Sequence, residues 1–139
     1  IACFFAELSA PSDAVHLFMS LISAGFGFLI LWHINFLVQC LSFWVINVWS
    51  LTTLKNVLLK LLAGSLIPLW FMPERLKKLI DFTPFGAIYF IPVQLYLGNL
   101  SGSDVLWEFA RQFVWILILA GMCEVLWKRG IKKLVVHGG

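Results

Sequence analysis

An uncharged stretch limits this chain more than any other feature. Residues 14–34, AVHLFMSLISAGFGFLILWHI, carry no formally charged side chain at neutral pH. At about 1.5 Å per residue, about 20 helical residues cross the roughly 30 Å hydrocarbon core of a bilayer. A helix satisfies its own backbone polar groups there, where no water can. Composition excludes the soluble alternative. The 139 residues are 61% apolar and 12% charged, against about 45–50% and about 25% in soluble domains. A body this small has too much surface for its volume to hide so much apolar area.

The rest of the chain extends the pattern. A polar turn at 9–13 (Ser9, Pro11, Ser12, Asp13) precedes the first span, and apolar character runs on to Trp49. Residues 41–56 are mixed and read as an interfacial connection, with Trp44 and Trp49 suited to the membrane surface. Residues 57–72 form the apolar body of a second span, which carries Lys60 near one end and Pro68 inside. Residues 73–82 place Leu76, Leu79 and Ile80 on one face and charges on the rest, which predicts an amphipathic surface helix starting at Pro73. Residues 83–98 are apolar but carry Pro84, Gly86, Pro92 and Gly98, so a shallow re-entrant or interfacial segment is expected. A turn follows at 99–105, where Ser101 and Asp104 resemble a capping box, and then a last span at 106–127.

The expected fold is thus an all-α membrane protein. It has three full transmembrane helices, about 14–38, 53–72 and 106–127, and short outer interfacial or re-entrant helices at 73–98. The chain reads as one transmembrane domain over 1–139. Because it opens on Ile1 with an apolar run, residues 1–8 read as the end of a further helix, and the chain as the C-terminal part of something longer. Ser20 with Ala24, and Ser23 with Gly27, are small pairs four residues apart that let helices approach closely in lipid.

Charge sets the expected orientation. Lys128, Arg129, Lys132 and Lys133 follow the last span and Lys55 and Lys60 precede the second, while Arg75, Lys77 and Lys78 lie on the other side. The positive-inside rule then puts the C-terminus in the cytoplasm of a multi-pass cell-membrane protein. The net charge of +3 is small and follows no face that could track phosphates, so nucleic acid is not an expected partner. The ionisable residues in or near the spans are Lys60, Glu108, Arg111 and Glu124. Glu108 and Arg111 are spaced to pair, and Glu124 lies close to Lys128.

Several chemistries lack their residues. There is no phosphate-binding Gly-x-x-x-x-Gly-Lys-Ser/Thr loop and no His-Glu-x-x-His. His16, His33 and His137 are far apart, and Cys3, Cys40 and Cys123 sit in apolar runs as small fillers. No catalytic residue, metal site or cofactor is expected.

The punctuation from Phe43 onward carries a family resemblance. Phe43-Trp44 is followed by Leu62-Ala63-Gly64-Ser65-Leu66-Ile67-Pro68-Leu69 and Phe71-Met72-Pro73. Then come Pro84-Phe85, Ile91-Pro92-Val93, Leu97-Gly98, Gln112-x-x-Trp115, Leu126-Trp127-Lys128-Arg129-Gly130 and Gly138-Gly139. In order and spacing this resembles the C-terminal half of a type-2 ABC exporter permease, in the branch similar to daunorubicin-resistance permeases. Ala63 stands where that pattern has Ser, Met72 is inserted in its Phe-Pro pair, Thr83 replaces Leu and Lys128 replaces Arg.

The resemblance implies a six-span subunit, of which these spans are the fourth to sixth, paired with a second permease and docked on a separate ATP-binding subunit. It implies ATP-driven export of a small molecule without an ATPase motif of its own. Gly64, Pro68, Phe71, Pro73, Pro84, Phe85, Tyr89, Pro92 and Gly98 are then candidates for broken helices and an apolar outer gate. A non-transport assembly or immunity protein, an intramembrane enzyme and an inactive permease remnant remain open alternatives, and the substrate is not written in these residues.

Overall fold

The computed structural model of the protein describes residues 13–45, 47–62, 80, 82–100 and 102–137. Four α-helices make up the described chain: α1 Ala14–Cys40, α2 Val48–Leu62, α3 Pro84–Tyr96 and α4 Ser103–His137. A 3-10 turn at Leu41–Phe43 closes α1. The expected features at 1–12 and 63–79 lie outside the described residues, as does the Ser101 cap. Among them are Gly64, Pro68, Phe71, Pro73 and most of the amphipathic helix at 73–82.

Two stretches, Ala14–Phe43 and Ser103–Lys133, are long and apolar enough to cross a membrane. They are the first and last expected spans, each longer than anticipated. The reason is local: Ile34–Cys40 and Lys128–His137 contain no proline and no run of turn formers, so nothing stops the helix. Of the second expected span, α2 describes residues up to Leu62. It begins at Val48 rather than near 53, so the interfacial connection at 41–56 shrinks to residues 44–47. Thr52 and Thr53 do not interrupt it, because their hydroxyls donate to the Val48 and Trp49 carbonyls at 3.0 and 2.9 Å.

Helix directions follow from the cross-contacts. Ser23 bonds Gln112, and the Cys123 thiol reaches the His33 carbonyl at 3.5 Å. Further along, the Phe36 ring meets Trp127 at 5.8 Å and the Phe43 ring meets Trp127 at 6.0 Å. Residue numbers rise together on both helices, so α1 and α4 run parallel. Helix α2 folds back along the C-terminal half of α1, where the Lys55 ammonium donates to the Asn35 side-chain oxygen.

The largest departure from expectation concerns 83–98. These residues form one helix, not a shallow broken segment. Six of its residues are buried: Pro84, Gly86, Ala87, Ile88, Ile91 and Leu95. It packs more extensively on α1 than any other element does, and its middle meets the middle of α1 at Gly27 and Ile88. The prolines do not break it for separate reasons. Pro84 stands at the start of the helix, where the missing N–H has no helical partner to lose. Pro92 removes one interior hydrogen bond but leaves enough packing around it to hold the helix. Thr83 closes the entry, its hydroxyl donating to the Ile80 carbonyl at 2.8 Å.

Close approach of α1 and α3 depends on Gly27. A β-carbon there would come 2.5 Å from the Ile88 carbonyl oxygen, whereas one at Gly25 would meet nothing within 4 Å. Ser23, the other member of the small pair, is fully buried on the same face. The expected role of the Ser23–Gly27 pair is therefore the observed one. In contrast, Ala24 is exposed beside α3.

These neighbours give a direct comparison. Gly27→Ala should lower unfolding free energy in bicelles by about 1–3 kcal/mol, the usual cost of overpacking a close seam. Gly25→Ala should leave it unchanged or slightly raised. Equal effects at the two positions would contradict the assigned α1–α3 contact.

Candidate functional site

The candidate gate residues that the structure describes all lie on α3 or at its end. Pro84 is buried at its first turn, and Phe85, Tyr89 and Pro92 follow at spacings of four and three, which puts them on one stripe. That stripe runs along the border between the buried and exposed faces. Phe85 is half-buried and faces a cavity of ≈ 360 Å³ shared with Ile34, Leu37, Lys55, Leu58 and Leu119. Tyr89 is 48% exposed and, with Pro92 and Val93, borders a cleft of ≈ 250 Å³ against Ala24 and Phe28. Gly98 has a different job. It takes φ 72, a left-handed conformation suited to glycine, and its N–H donates to the Leu95 carbonyl at 3.1 Å, so it ends α3.

The charges sort by depth of burial. Arg111 and Glu108 pair at 2.7 Å with each side chain 19% exposed, as their spacing predicts. Pairing keeps two charges near the start of α4 tolerable in an apolar setting. Glu124 and Lys128 pair at 2.6 Å on the exposed surface. Lys60 is exposed in the last turn of α2. These positions are two local ion pairs on α4 and a cation at the end of α2.

The central polar group is one that reading the sequence for charge misses. Gln112, on α4, is 0% exposed. Its amide nitrogen donates to the Ala87 carbonyl on α3 at 2.8 Å and to the Ser23 carbonyl on α1 at 3.2 Å. Its side-chain oxygen accepts from the Ser23 hydroxyl at 3.1 Å. One uncharged side chain thereby joins three helices. The available signal was a lone glutamine inside an apolar span, since such a group must find partners in the protein. Which partners it finds is decided by helix packing. A similar but more peripheral bond joins α1 and α2 through Asn35 and Lys55.

The other singled-out residues sit elsewhere in the bundle. Cys40 and Cys123 are buried free thiols. His33 lies two turns before the end of α1, with Nδ1 2.7 Å from the Leu29 carbonyl oxygen. His16 borders a cavity of ≈ 490 Å³ between the starts of α1 and α4, alongside Met19, Val105 and Phe109. At the opposite end, Trp32, Phe36, Phe43 and Trp127 stack from one helix to the next, and the Lys133 ammonium lies 5.9 Å above the Trp44 ring. That arrangement suits the level where apolar rings meet lipid headgroups.

What the geometry offers is a short, proline-bearing helix held between two long parallel helices, with no group of three metal-ligating side chains among the described residues. A family model described as ABC-2 family transporter protein matches residues 3–138. No curated protein and no solved structure matches the chain.

The Gln112 junction has a measurable weight. Interhelical hydrogen bonds in membranes average about 0.6 kcal/mol each, and stranding a buried polar partner costs about 1–3 kcal/mol. Gln112→Ala should therefore lower unfolding free energy by about 2 kcal/mol. Ser23→Ala should cost less than half as much, since the Ser23 carbonyl contact survives. Reversible unfolding in mixed micelles reads both; a null effect at Gln112 would remove the junction from the energetics of the fold.

Proposed function

The chain belongs to the ABC-2 family of transporters, and from that premise we propose that it moves a small molecule out of the cell with energy from ATP hydrolysed on a separate subunit. It is a membrane component of a family without ATPase activity of its own. A protein of that kind must borrow its driving force, and nucleotide binding elsewhere can bias its conformation only through differential affinity for two states. The observation that carries the reading is the family match over residues 3–138 together with the two spans it covers.

Finer features of the proposal rest on the residues. The basic cluster Lys128, Arg129, Lys132 and Lys133 supports a cytoplasmic C-terminus. The parallel course of α1 and α4 supports an odd number of further crossings between them. The motif order from Phe43-Trp44 to Gly138-Gly139 supports the daunorubicin-resistance-like branch, a six-span subunit whose second half this chain supplies, and pairing with a second permease. The α3 stripe of Phe85, Tyr89 and Pro92, with Pro84, is our candidate for the gate; with the C-terminus in the cytoplasm, its Pro92 end lies toward the outer side by Ala24 and its Phe85 end toward the inner side by Ile34 and Leu37. Gly64, Pro68, Phe71 and Pro73 belong to the same proposal by sequence, and Gly98 serves it by ending α3.

The test begins with purification of the tagged protein from its own membranes. An ATP-hydrolysing subunit should co-purify. Inside-out vesicles should accumulate daunorubicin, used as a fluorescent amphiphilic probe, when ATP is added, and deletion of that subunit should abolish uptake. Purification without any such subunit would sink the transporter reading and favour an assembly protein. ATP hydrolysis with no movement of daunorubicin or ethidium would favour an inactive remnant.

A further inference from the structure

Two neighbouring carbonyls of α3 face the seam with α1 and α4, and they differ in chemistry. The Ala87 oxygen accepts from the Gln112 amide at 2.8 Å. In a helix it also has the N–H four residues on, that of Ile91, as its ordinary donor. The Ile88 oxygen has no such donor, because the residue four on is Pro92, which carries no N–H. That oxygen lies against Gly27, close enough that a β-carbon would approach it to 2.5 Å. On α1, Gly27 is one helical turn from Ser23, whose carbonyl and hydroxyl hold the other bonds of Gln112. The glutamine amide therefore sits next to one carbonyl already served by the helix and another short of a donor.

We infer that Gln112 is a positioning residue that allows α3 two positions between the long helices, its amide donating to the Ala87 carbonyl in one and to the Ile88 carbonyl in the other. A helix fixed by hydrogen bonds in lipid cannot ordinarily slide, since sliding strands a polar group where water cannot replace the partner. Here the spare acceptor stands one residue along the helix. When the amide reaches Ile88, that oxygen gains the donor Pro92 withholds, and Ala87 keeps its bond from Ile91. The Ser23 contacts persist; the Ile88 oxygen lacks its helical donor in the first position and gains one in the second. Gly27 leaves room for the Ile88 carbonyl to pass. Successive carbonyls of a helix differ by about 1.5 Å in height and about 100° around the axis, so the movement combines a slide with a rotation of α3, and it carries the Tyr89–Pro92 stripe past Ala24 and Phe28, altering the ≈ 250 Å³ cleft. This rests on the reading of α3 as a gate element and gives that gate its catch.

The experiment places a trifluoromethyl label on Val93→Cys, an exposed position of α3, with Cys3, Cys40 and Cys123 replaced by alanine. Fluorine resonances are recorded for the complex in lipid nanodiscs, with and without ATP. Two resonances should appear, their ratio shifting on ATP addition. Pro92→Ala gives the Ile88 oxygen a helical donor, so that oxygen no longer gains its first donor from Gln112 and the second position loses its advantage. It should collapse the spectrum to one resonance, hold or raise the melting temperature, and slow vesicle uptake at least tenfold. A purely structural Pro92 would not separate stability from uptake in this way. Should Pro92→Ala fail to insert, Gln112→Leu carries the test, as it removes the travelling donor and should also leave one resonance. Two resonances persisting in a folded variant would overturn the inference. A single resonance in the unsubstituted label protein, with ATP-driven uptake intact, would overturn it while leaving the transporter reading in place. Two resonances that both substitutions merge, with no ATP-driven uptake, would instead strike the transporter reading.

Discussion

The three hydrogen bonds of Gln112 organise the centre of the described bundle. Lipid offers no competing donor or acceptor, so a buried amide there is either paired within the protein or costly. Gln112 meets that demand by drawing on α1 and α3 together, and its partners are backbone carbonyls as much as side chains. Backbone acceptors have a consequence that side-chain partners do not. They recur at every residue along a helix, so the same donor can in principle serve more than one register of its neighbour. The small residues around the junction, Ser23 and Gly27, bring the backbones close enough for that to matter.

The apolar exterior has a different logic. Phe18, Leu21, Phe28, Trp32, Leu106, Trp107 and Leu117 are all exposed, which would be ruinous in water and is ordinary against acyl chains. Without a hydrophobic drive between helices, association relies on close contact and polar pairing. The described core reflects this. Its buried apolar residues, including Ile30, Ala87, Ile91 and Leu95, gather around the same α1–α3–α4 seam that holds the glutamine. The ends are secured by other means: the Glu108–Arg111 pair at the start of α4, and the ring stack from Trp32 to Trp127 near its far end.

For a transporter, this division assigns tasks. Two long parallel helices form the frame, and the short helix between them is the part with a weakened backbone. Pro92 removes one internal bond, and Gly98 ends the helix in a left-handed turn. On the proposed reading, the softer insert is where a conformational change is absorbed.

How much of this was legible beforehand divides by the range of the interaction. Solvent class, the spans at 14–34 and 106–127, the Glu108–Arg111 and Glu124–Lys128 pairs and the use of Ser23 and Gly27 all follow from residues within a turn or two of one another. Such short-range facts need no knowledge of the fold. Membership in the ABC-2 family was also readable, because order and spacing are sequence properties. The placement of 83–98 is not legible from its prolines alone, because Pro84 starts the helix and Pro92 packs beside Ala24 and Phe28 of α1. The importance of Gln112 was hidden for the same reason: an uncharged polar residue declares a need for partners but not their location. Composition and periodicity thus determined that this protein lives in a membrane as helices. Only tertiary packing decided which helix lies against which backbone, because residues 23, 87 and 112 become neighbours through folding alone.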